Sequence, residues 1–393
     1  MLHRYFAASF FDGLGSGIYF PVLVLWLLEQ GVSLPTLGIL LALDHVAAIL
    51  FEVPSGIVAD QYGRKIALSL GAFLSIFGLF SVGFGSSVFY FALGMILTGL
   101  GRASISGADD AFVYDSLVAQ NKQSESVKHF GRSQMIEKTS HILGALGSSL
   151  VVGLYSLKMT FVISPALIFI ALCLYLSLRE PKVHKESLAK QSGIGHLADS
   201  IKVIKDGSTL FLIVIVLTLW TPSPNEFIQA ILKDLMVNPT YFGVIYASFN
   251  LLGLLGAASS RTIHAKWGMI RGLFVSELLR IFCYLIILLH TTYSTVLAIA
   301  ATYFLGYVQR PMKKSLINEY IPSPKRATIL SITNLTSSAT SALILPIMGA
   351  VADIRVTYVF GASIALRVIV LGLLIKLRRY QISPKQRISP DPV

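Results

Sequence analysis

The sequence of 393 residues is 54% hydrophobic and only 13% charged, whereas soluble domains carry about 25% charged residues, so a soluble globular protein is excluded. A formal net charge of +12 would suggest a nucleic-acid partner in a soluble chain. Here the basic residues occupy loops between apolar runs, so we expect a lipid bilayer and no nucleic acid as partner. The two cysteines lie inside apolar runs, so neither a disulfide nor a thiolate metal site is expected.

Twelve apolar runs are long enough to cross a membrane, which takes about 20 residues in a helix. They lie at roughly 5–28, 37–58, 66–86, 89–112, 134–156, 160–178, 209–231, 241–260, 270–290, 294–312, 327–350 and 357–377. The sequence therefore predicts an all-α membrane protein with twelve transmembrane helices.

The positions of Lys and Arg predict the orientation in the membrane, because cytoplasmic loops carry an excess of both. With a cytoplasmic amino terminus, the outer loops hold only Lys158, Lys233 and Arg355 of the 32 basic residues. We expect a multi-pass protein of the cytoplasmic (inner) membrane with both termini in the cytoplasm.

The longest polar break separates two sets of six predicted spans. The predicted segments are an amino-terminal six-helix bundle at 1–179, a linker at 180–208, a carboxy-terminal six-helix bundle at 209–379 and a cytoplasmic tail at 380–393. In the linker, Leu197, Ile201 and Ile204 repeat at helical spacing opposite several lysines. This pattern is typical of an amphipathic helix lying on the anionic inner leaflet.

A charged decapeptide, residues 56–65, joins the second and third predicted spans and reads Gly-Ile-Val-Ala-Asp-Gln-Tyr-Gly-Arg-Lys. Gly56 would allow close helix packing, and Gly63 the positive φ of a tight reversal. The decapeptide resembles the signature loop between transmembrane helices 2 and 3 of the major facilitator superfamily, G-x-L-a-D-r-x-G-r-k. Gly56, Asp60, Gly63, Arg64 and Lys65 match it in register.

The resemblance implies a transporter built from two pseudo-symmetric six-helix bundles that works by alternating access. We also expect the protein to function as a monomer. It also implies that the loop acts in gating. In the family its arginine meets an acid at the end of span 4, which would be Asp115 here, and its acid meets the start of span 11, near Ala327.

A second, weaker resemblance points to one branch of the superfamily. Leu14-Gly15, five residues and Pro21-Val22 are similar to a pattern in the first span of twelve-span drug/proton antiporters. The glycines around Gly15 would permit close helix approach. Two other patterns of the branch are incomplete, because Met95 stands where an arginine is usual in span 4 and span 5 lacks its proline.

Charged groups inside the bilayer are costly and therefore functional candidates. The proton-coupling candidates are Asp12, Arg102, Glu137, His141 and Glu52. We expect Asp12, as an anion, to pair with Arg102 and to release it on protonation, which frees the arginine for another acid such as Glu137. The alternative is a static ion pair that locks spans 1 and 4. Asp109 and Asp110 are close enough to the inner surface for a solvated role.

The substrate-binding candidates combine a broken helix in span 7 with aromatic and amide faces. They are Tyr19, Glu226, Gln229, Tyr246, Asn250, Tyr303 and Tyr307. Glu226 follows two prolines, and broken membrane helices are tolerated where they line a cavity. The aromatic pairs could equally serve helix packing. In the second half, Glu277 and Arg280 are expected to pair, while Arg367 has no obvious partner.

No phosphate-binding glycine loop, metal-ligand cluster or nucleophile constellation occurs in the sequence, so we expect neither an enzyme nor a cofactor. The leading interpretation is proton-coupled export of a small amphiphilic organic compound. One alternative is a proton-coupled importer of a nutrient or siderophore. Another is a non-transporting membrane receptor or scaffold, against which the buried acids argue.

Overall fold

A computed structural model describes residues 2–181, 208–219, 224–289, 292–320 and 326–381, and every regular element in these ranges is helical. The α-helices are α1 Leu2–Tyr19, α2 Leu23–Glu29, α3 Leu34–Gln61, α4 Arg64–Phe84, α5 Val88–Ile105, α6 Ala108–Val118, α7 Ser126–Leu154, α8 Leu157–Leu176, α9 Ser208–Leu219, α10 Ile228–Asp234, α11 Phe242–Trp267, α12 Met269–Leu288, α13 Thr292–Tyr320, α14 Arg326–Ile354 and α15 Tyr358–Gln381. The predicted linker helix and nearly all of the tail lie outside the described residues.

Each of the twelve predicted apolar runs overlaps one or two α-helices in the part of the chain that the structure describes. Eight helical stretches there are long and apolar enough to cross a membrane, and two of them, Leu2–Glu29 and Val88–Val118, contain a break. The prediction of an all-α membrane protein is confirmed.

Contacts separate the chain into two units. The first comprises Met1–Lys185, Glu226–Ser248 and Leu345–Val356, and the second comprises Glu186–Asn225, Phe249–Ile344 and Thr357–Val393. The division into bundles at 1–179 and 209–379 stays a prediction.

Glycines let the helices of the first unit approach closely. A Cβ added to Gly144 of α7 would lie 2.8 Å from Cα of Gly17 in α1, and one added to Gly15 would lie 2.9 Å from the Ser164 carbonyl oxygen of α8. The predicted close approach at the glycines of the first span is thus confirmed. At Gly56 a Cβ would meet nothing within 4 Å among the described residues, which therefore do not show the close packing expected there.

The first predicted span is broken by the 3-10 turn Phe20–Val22, which separates α1 from α2. Pro21 lies in this turn and has no backbone N–H to donate, so the helical hydrogen-bond ladder is interrupted there. Gln229 of α10 fills the gap. Its Oε1 accepts hydrogen bonds from the backbone N–H groups of Val24 (2.8 Å) and Leu25 (3.1 Å), and its Nε2 donates to the Phe20 carbonyl (2.7 Å).

The second unit holds an apolar core from α9, α12, α13, α14 and α15, and a buried polar network beside it. Arg367 Nη1 lies 2.6 Å from Glu277 Oε1. Gln309 Nε2 donates to Glu277 Oε2 (2.8 Å), and Gln309 Oε1 accepts from Arg280 (3.0 Å). The expected direct Glu277–Arg280 pair and the expected lack of a partner for Arg367 are both wrong. The packing of α15 on α12 brings Arg367 to Glu277, which helical spacing alone does not reveal.

Candidate functional site

A cavity of about 570 Å³ lies inside the first unit, and its lining contains many polar residues beside an apolar part. Its apolar lining includes Phe20, Leu23, Leu41, Leu79, Val82 and Met95. Its polar lining consists of Tyr5, Ser9, Asp12, Ser16, Tyr19, Asp44, His45, Ser75, Thr98, Arg102, Ser106, Asp109, Ser133, Gln134, Glu137, His141, Tyr175 and Glu226. The cavity therefore contains five carboxyl groups and one guanidinium group.

Helix α1 presents one polar face to this cavity. Tyr5, Ser9, Asp12, Ser16 and Tyr19 all line it, and they recur at steps of three and four residues, which places them on one side of an α-helix. The glycines between them form the packed side of α1 against α7 and α8. The alternation of small and polar residues in the first span thus holds α1 in place and exposes its carboxyl group to the cavity.

Arg102 of α5 forms an ion pair with Asp44 of α3, so the expected pairing of Arg102 with Asp12 is wrong. The Thr98 hydroxyl also approaches the Asp44 carboxylate, at 3.4 Å. Gly99 of α5 lies directly against the Asp44 carbonyl, where a side chain would clash. Because α5 and α3 are in close contact at Gly99, Arg102 reaches the carboxylate of α3 rather than that of α1.

Asp12 and Glu226 line the same cavity without a direct partner. Neither carboxylate takes part in a hydrogen bond or an ion pair with another residue of the described part of the chain. They differ in this from Asp44, which Arg102 neutralises. An isolated carboxylate in such a place can be neutralised by a proton or by a cationic ligand.

Some of the remaining proton-coupling candidates line the cavity, and one does not. Glu137 and His141 line the cavity, and Glu137 Oε1 lies 2.8 Å from the ammonium nitrogen of Lys138. Glu52 of α3 is not part of the lining. Asp109 does line it, and the solvated role expected for Asp109 stays a prediction.

Only some of the substrate-binding candidates line the cavity. Tyr19 and Glu226 line the cavity, whereas Gln229 binds the backbone at the break in the first span. Tyr246 is buried and its ring meets that of Phe20 edge-on, with centroids 6.0 Å apart. In the second unit, the ring of Tyr303 stacks on Phe249 at 4.8 Å, and Arg310 lies 4.0 Å from the ring centroid of Tyr307. Asn250 also belongs to the second unit.

The loop between α3 and α4 contains a compact set of charges. Gly63 has φ +110°, as a tight reversal was expected to require. Arg64 lies 2.7 Å from Asp60 and 3.6 Å from Asp115, measured between nitrogen and carboxylate oxygen, so the expected acid at the end of span 4 is its neighbour. No ion pair of the Lys65 side chain is found among the described residues.

Two carboxylates that make these contacts, Glu180 and Asp44, were not among the predicted site residues. Glu180 accepts hydrogen bonds from the backbone N–H groups of Arg64 (2.6 Å) and Lys65 (2.9 Å) at the start of α4, where an anion is favoured by the helix dipole. Its position as the first acid after the sixth span is the signal that could have found it. Asp44 is visible in the sequence as an acid in mid-span next to His45, but helical spacing within α3 does not reveal its partner on α5.

Comparison with known proteins identifies the family. The model of the Major Facilitator Superfamily matches residues 5–309. This chain belongs to that superfamily. It is a membrane transporter, and the loop motif, the glycine-rich first span and the polar cavity of the first unit are parts of that transporter.

Three proteins illustrate what this transporter resembles. It is 26% identical to the uncharacterized MFS-type transporter YxaM of Bacillus subtilis (strain 168) over 401 residues, 97% of this chain and 95% of YxaM. It is 24% identical to the quinolone resistance protein NorA of Staphylococcus aureus (strain Mu50) over 206 residues, 52% of this chain and 50% of NorA. The crystal structure of the nucleoside transporter NupG matches with a TM-score of 0.79 at 17% identity, covering 96% of this chain and 98% of that one, which shows the fold alone.

Proposed function

We propose that this transporter exports lipophilic organic cations in exchange for protons. The observation that carries the proposal is the charge of the cavity in the first unit. Of the five carboxyl groups in its lining, Asp44 pairs with Arg102 and Glu137 with Lys138. The other three, Asp12, Asp109 and Glu226, have no ion pair among the described residues. Such a cavity attracts cations and repels anions, because opposite charges about 4 Å apart interact by roughly 4 kcal/mol at the effective dielectric of a protein surface.

The apolar part of the lining supports an amphiphilic substrate. Leu41, Leu79, Val82 and Met95 come from three helices, and the rings of Tyr19 and Phe20 adjoin them. A volume of about 570 Å³ lies within the range of about 300–1,000 Å³ typical of sites for drug-sized ligands. Aromatic faces also attract organic cations.

Exchange, rather than co-transport, follows from the unpaired carboxylates. Asp12 and Glu226 can each be neutralised by a proton or by the substrate cation, and the two compete for the same negative charge. A site that binds either one but not both moves them in opposite directions, so a proton gradient directed inward drives the cation outward. The similarity to the quinolone resistance protein NorA supports export.

The two alternatives lack this support. An importer that carries its substrate together with a proton needs a site that binds both at once, and an acidic cavity disfavours anionic nutrients and siderophores. A receptor or scaffold gains nothing from isolated carboxylates, which are costly inside a membrane.

Transport assays in proteoliposomes test the proposal. With the lumen acidic, vesicles should accumulate a permanently charged aromatic ammonium compound, while a neutral compound of the same shape should not accumulate. Glu226→Gln should lower cation accumulation about tenfold, since it removes one unpaired carboxylate. Glu29→Gln, an exposed acid at the end of α2, is the matched control and should transport normally. Accumulation of an anion or the neutral compound instead of the cation would overturn the proposal.

A further inference from the structure

A second cleft, of about 310 Å³, lies in the second unit where α11, α12 and α15 end or begin. The turn at Gly268, with φ +74°, joins α11 to α12 and brings Lys266 and Arg271 to the rim of this cleft. Arg378, near the end of α15, completes the rim. No residue of this cleft lines the cavity of the first unit, and the proposed function does not use the cleft.

The three basic side chains at the rim have no acidic partner among the residues that the structure describes. Lys266, Arg271 and Arg378 are exposed, and no ion pair or hydrogen bond to their side chains exists within the described ranges. Three like charges around one cleft repel each other unless an anion lies between them. The rim therefore favours a ligand with at least one negative charge.

The floor of the same cleft is apolar. It includes Trp267 of α11 and Ile375 of α15, whose exposed fractions are 42% and 47%. Exposed apolar side chains next to a basic rim match a ligand with an anionic head and a hydrocarbon body. Trp is also common at the interface between the headgroups and the hydrocarbon of a bilayer.

The position along the helices identifies the source of that ligand. The charge distribution predicts the α11–α12 turn and the end of α15 to lie at the cytoplasmic surface, where the bilayer supplies anionic headgroups. We propose that this cleft binds an anionic phospholipid, with its phosphate held by Lys266, Arg271 and Arg378 and the start of its acyl chains against Trp267 and Ile375.

Quenching of tryptophan fluorescence by lipids brominated on their acyl chains tests this proposal. In mixed bilayers, brominated phosphatidylglycerol should quench Trp267 at a several-fold lower mole fraction than brominated phosphatidylcholine. The Trp267 contribution is the part of the signal that the variant Trp267→Phe lacks. Arg271→Gln and Arg378→Gln should each weaken the preference about fivefold, as expected for one basic residue near an anionic surface.

The matched control is Lys376→Gln, because Lys376 is an exposed basic residue of α15 that does not line the cleft. It should keep the full preference for phosphatidylglycerol. Equal quenching by both lipids, or an unchanged preference in Arg271→Gln and Arg378→Gln, would overturn the proposal. Loss of the quenching on addition of millimolar inorganic phosphate would instead identify a site for a free anion and also overturn it.

Discussion

The side chain of Gln229 restores a hydrogen bond that the break in the first span removes from Val24: its Oε1 accepts from the Val24 N–H at 2.8 Å. Two further bonds of the same amide engage Leu25 and the Phe20 carbonyl. One polar side chain of α10 therefore satisfies three backbone groups of another helix. Inside a membrane such groups have no water to bind.

Gln229→Leu should destabilise the protein, because it leaves these three backbone groups buried without partners. Each unsatisfied group costs about 1–3 kcal/mol, and we expect a clear loss of thermal stability in detergent, measured by fluorescence-detected size-exclusion chromatography. Gln120→Leu is the control, since the Gln120 amide donates to the Ser116 carbonyl near the end of α6, four residues earlier in the chain. Equal melting temperatures of the Gln229 variant and the unaltered protein would contradict this role.

Asp12→Asn should abolish proton-driven accumulation of substrate and leave downhill exchange intact. The substitution mimics the protonated carboxyl group permanently, so a proton can no longer compete with the substrate there. Proteoliposomes with and without a pH gradient separate the two activities, and Asp110→Asn, which lies outside the cavity lining, is the control. If the Asp12 variant still builds a substrate gradient, coupling resides at Glu226 or Glu137.

Asp44→Asn and Arg102→Ala should change cation affinity in opposite directions. Removing the carboxylate leaves an unpaired positive charge in the cavity and weakens binding, whereas removing the arginine leaves an extra carboxylate and strengthens it. Each effect should be roughly two- to tenfold, as for unit charges several ångströms from the ligand. Equilibrium binding of the aromatic ammonium compound measures both, and weaker binding in both variants would indicate a structural pair.

Asp60→Asn should shift the protein towards its inward-open state, if the loop between α3 and α4 acts in gating. The substitution removes the carboxylate that holds Arg64 at 2.7 Å. Distances between spin labels on the two halves, measured by pulsed electron resonance, report the shift. The control is Gln61→Ala, at the exposed last residue of α3. Unchanged distance distributions would argue against gating by Asp60.

Glu277→Gln should destabilise the second unit more than it affects transport. It leaves the guanidinium of Arg367 buried beside a neutral amide, and breaking a buried ion pair from one side costs about 3–5 kcal/mol. Thermal melting should show this loss, and the double variant Glu277→Gln, Arg367→Met should recover part of it. The control is Glu319→Gln, an exposed acid of α13; a melting temperature of Glu277→Gln equal to that of this control would contradict the role of the pair.

The sequence determined the features that depend on local chemistry. In lipid, the backbone N–H and C=O groups of an apolar run of about 20 residues are all hydrogen-bonded within the run when it forms a helix. The twelve runs therefore predicted the helices of the structure. Gly63 takes its positive φ because the reversal between α3 and α4 requires one, and the glycines of α1 permit the helix contacts expected of them. The face shared by Asp12 and Tyr19 likewise follows from helical spacing.

Only the tertiary structure decided which charges meet. Helical spacing tells which residues share a face of one helix, but the neighbour of that face depends on how closely two backbones approach. Gly99 lets α5 lie against α3, so Arg102 pairs with Asp44 and leaves Asp12 unpaired. In the same way, the packing of α15 on α12 allows Arg367 to form an ion pair with Glu277. An ion pair forms only when the two charged groups lie within a few ångströms of each other. Whether they do depends on the distance between the helices, which is set by side-chain volume at the contact.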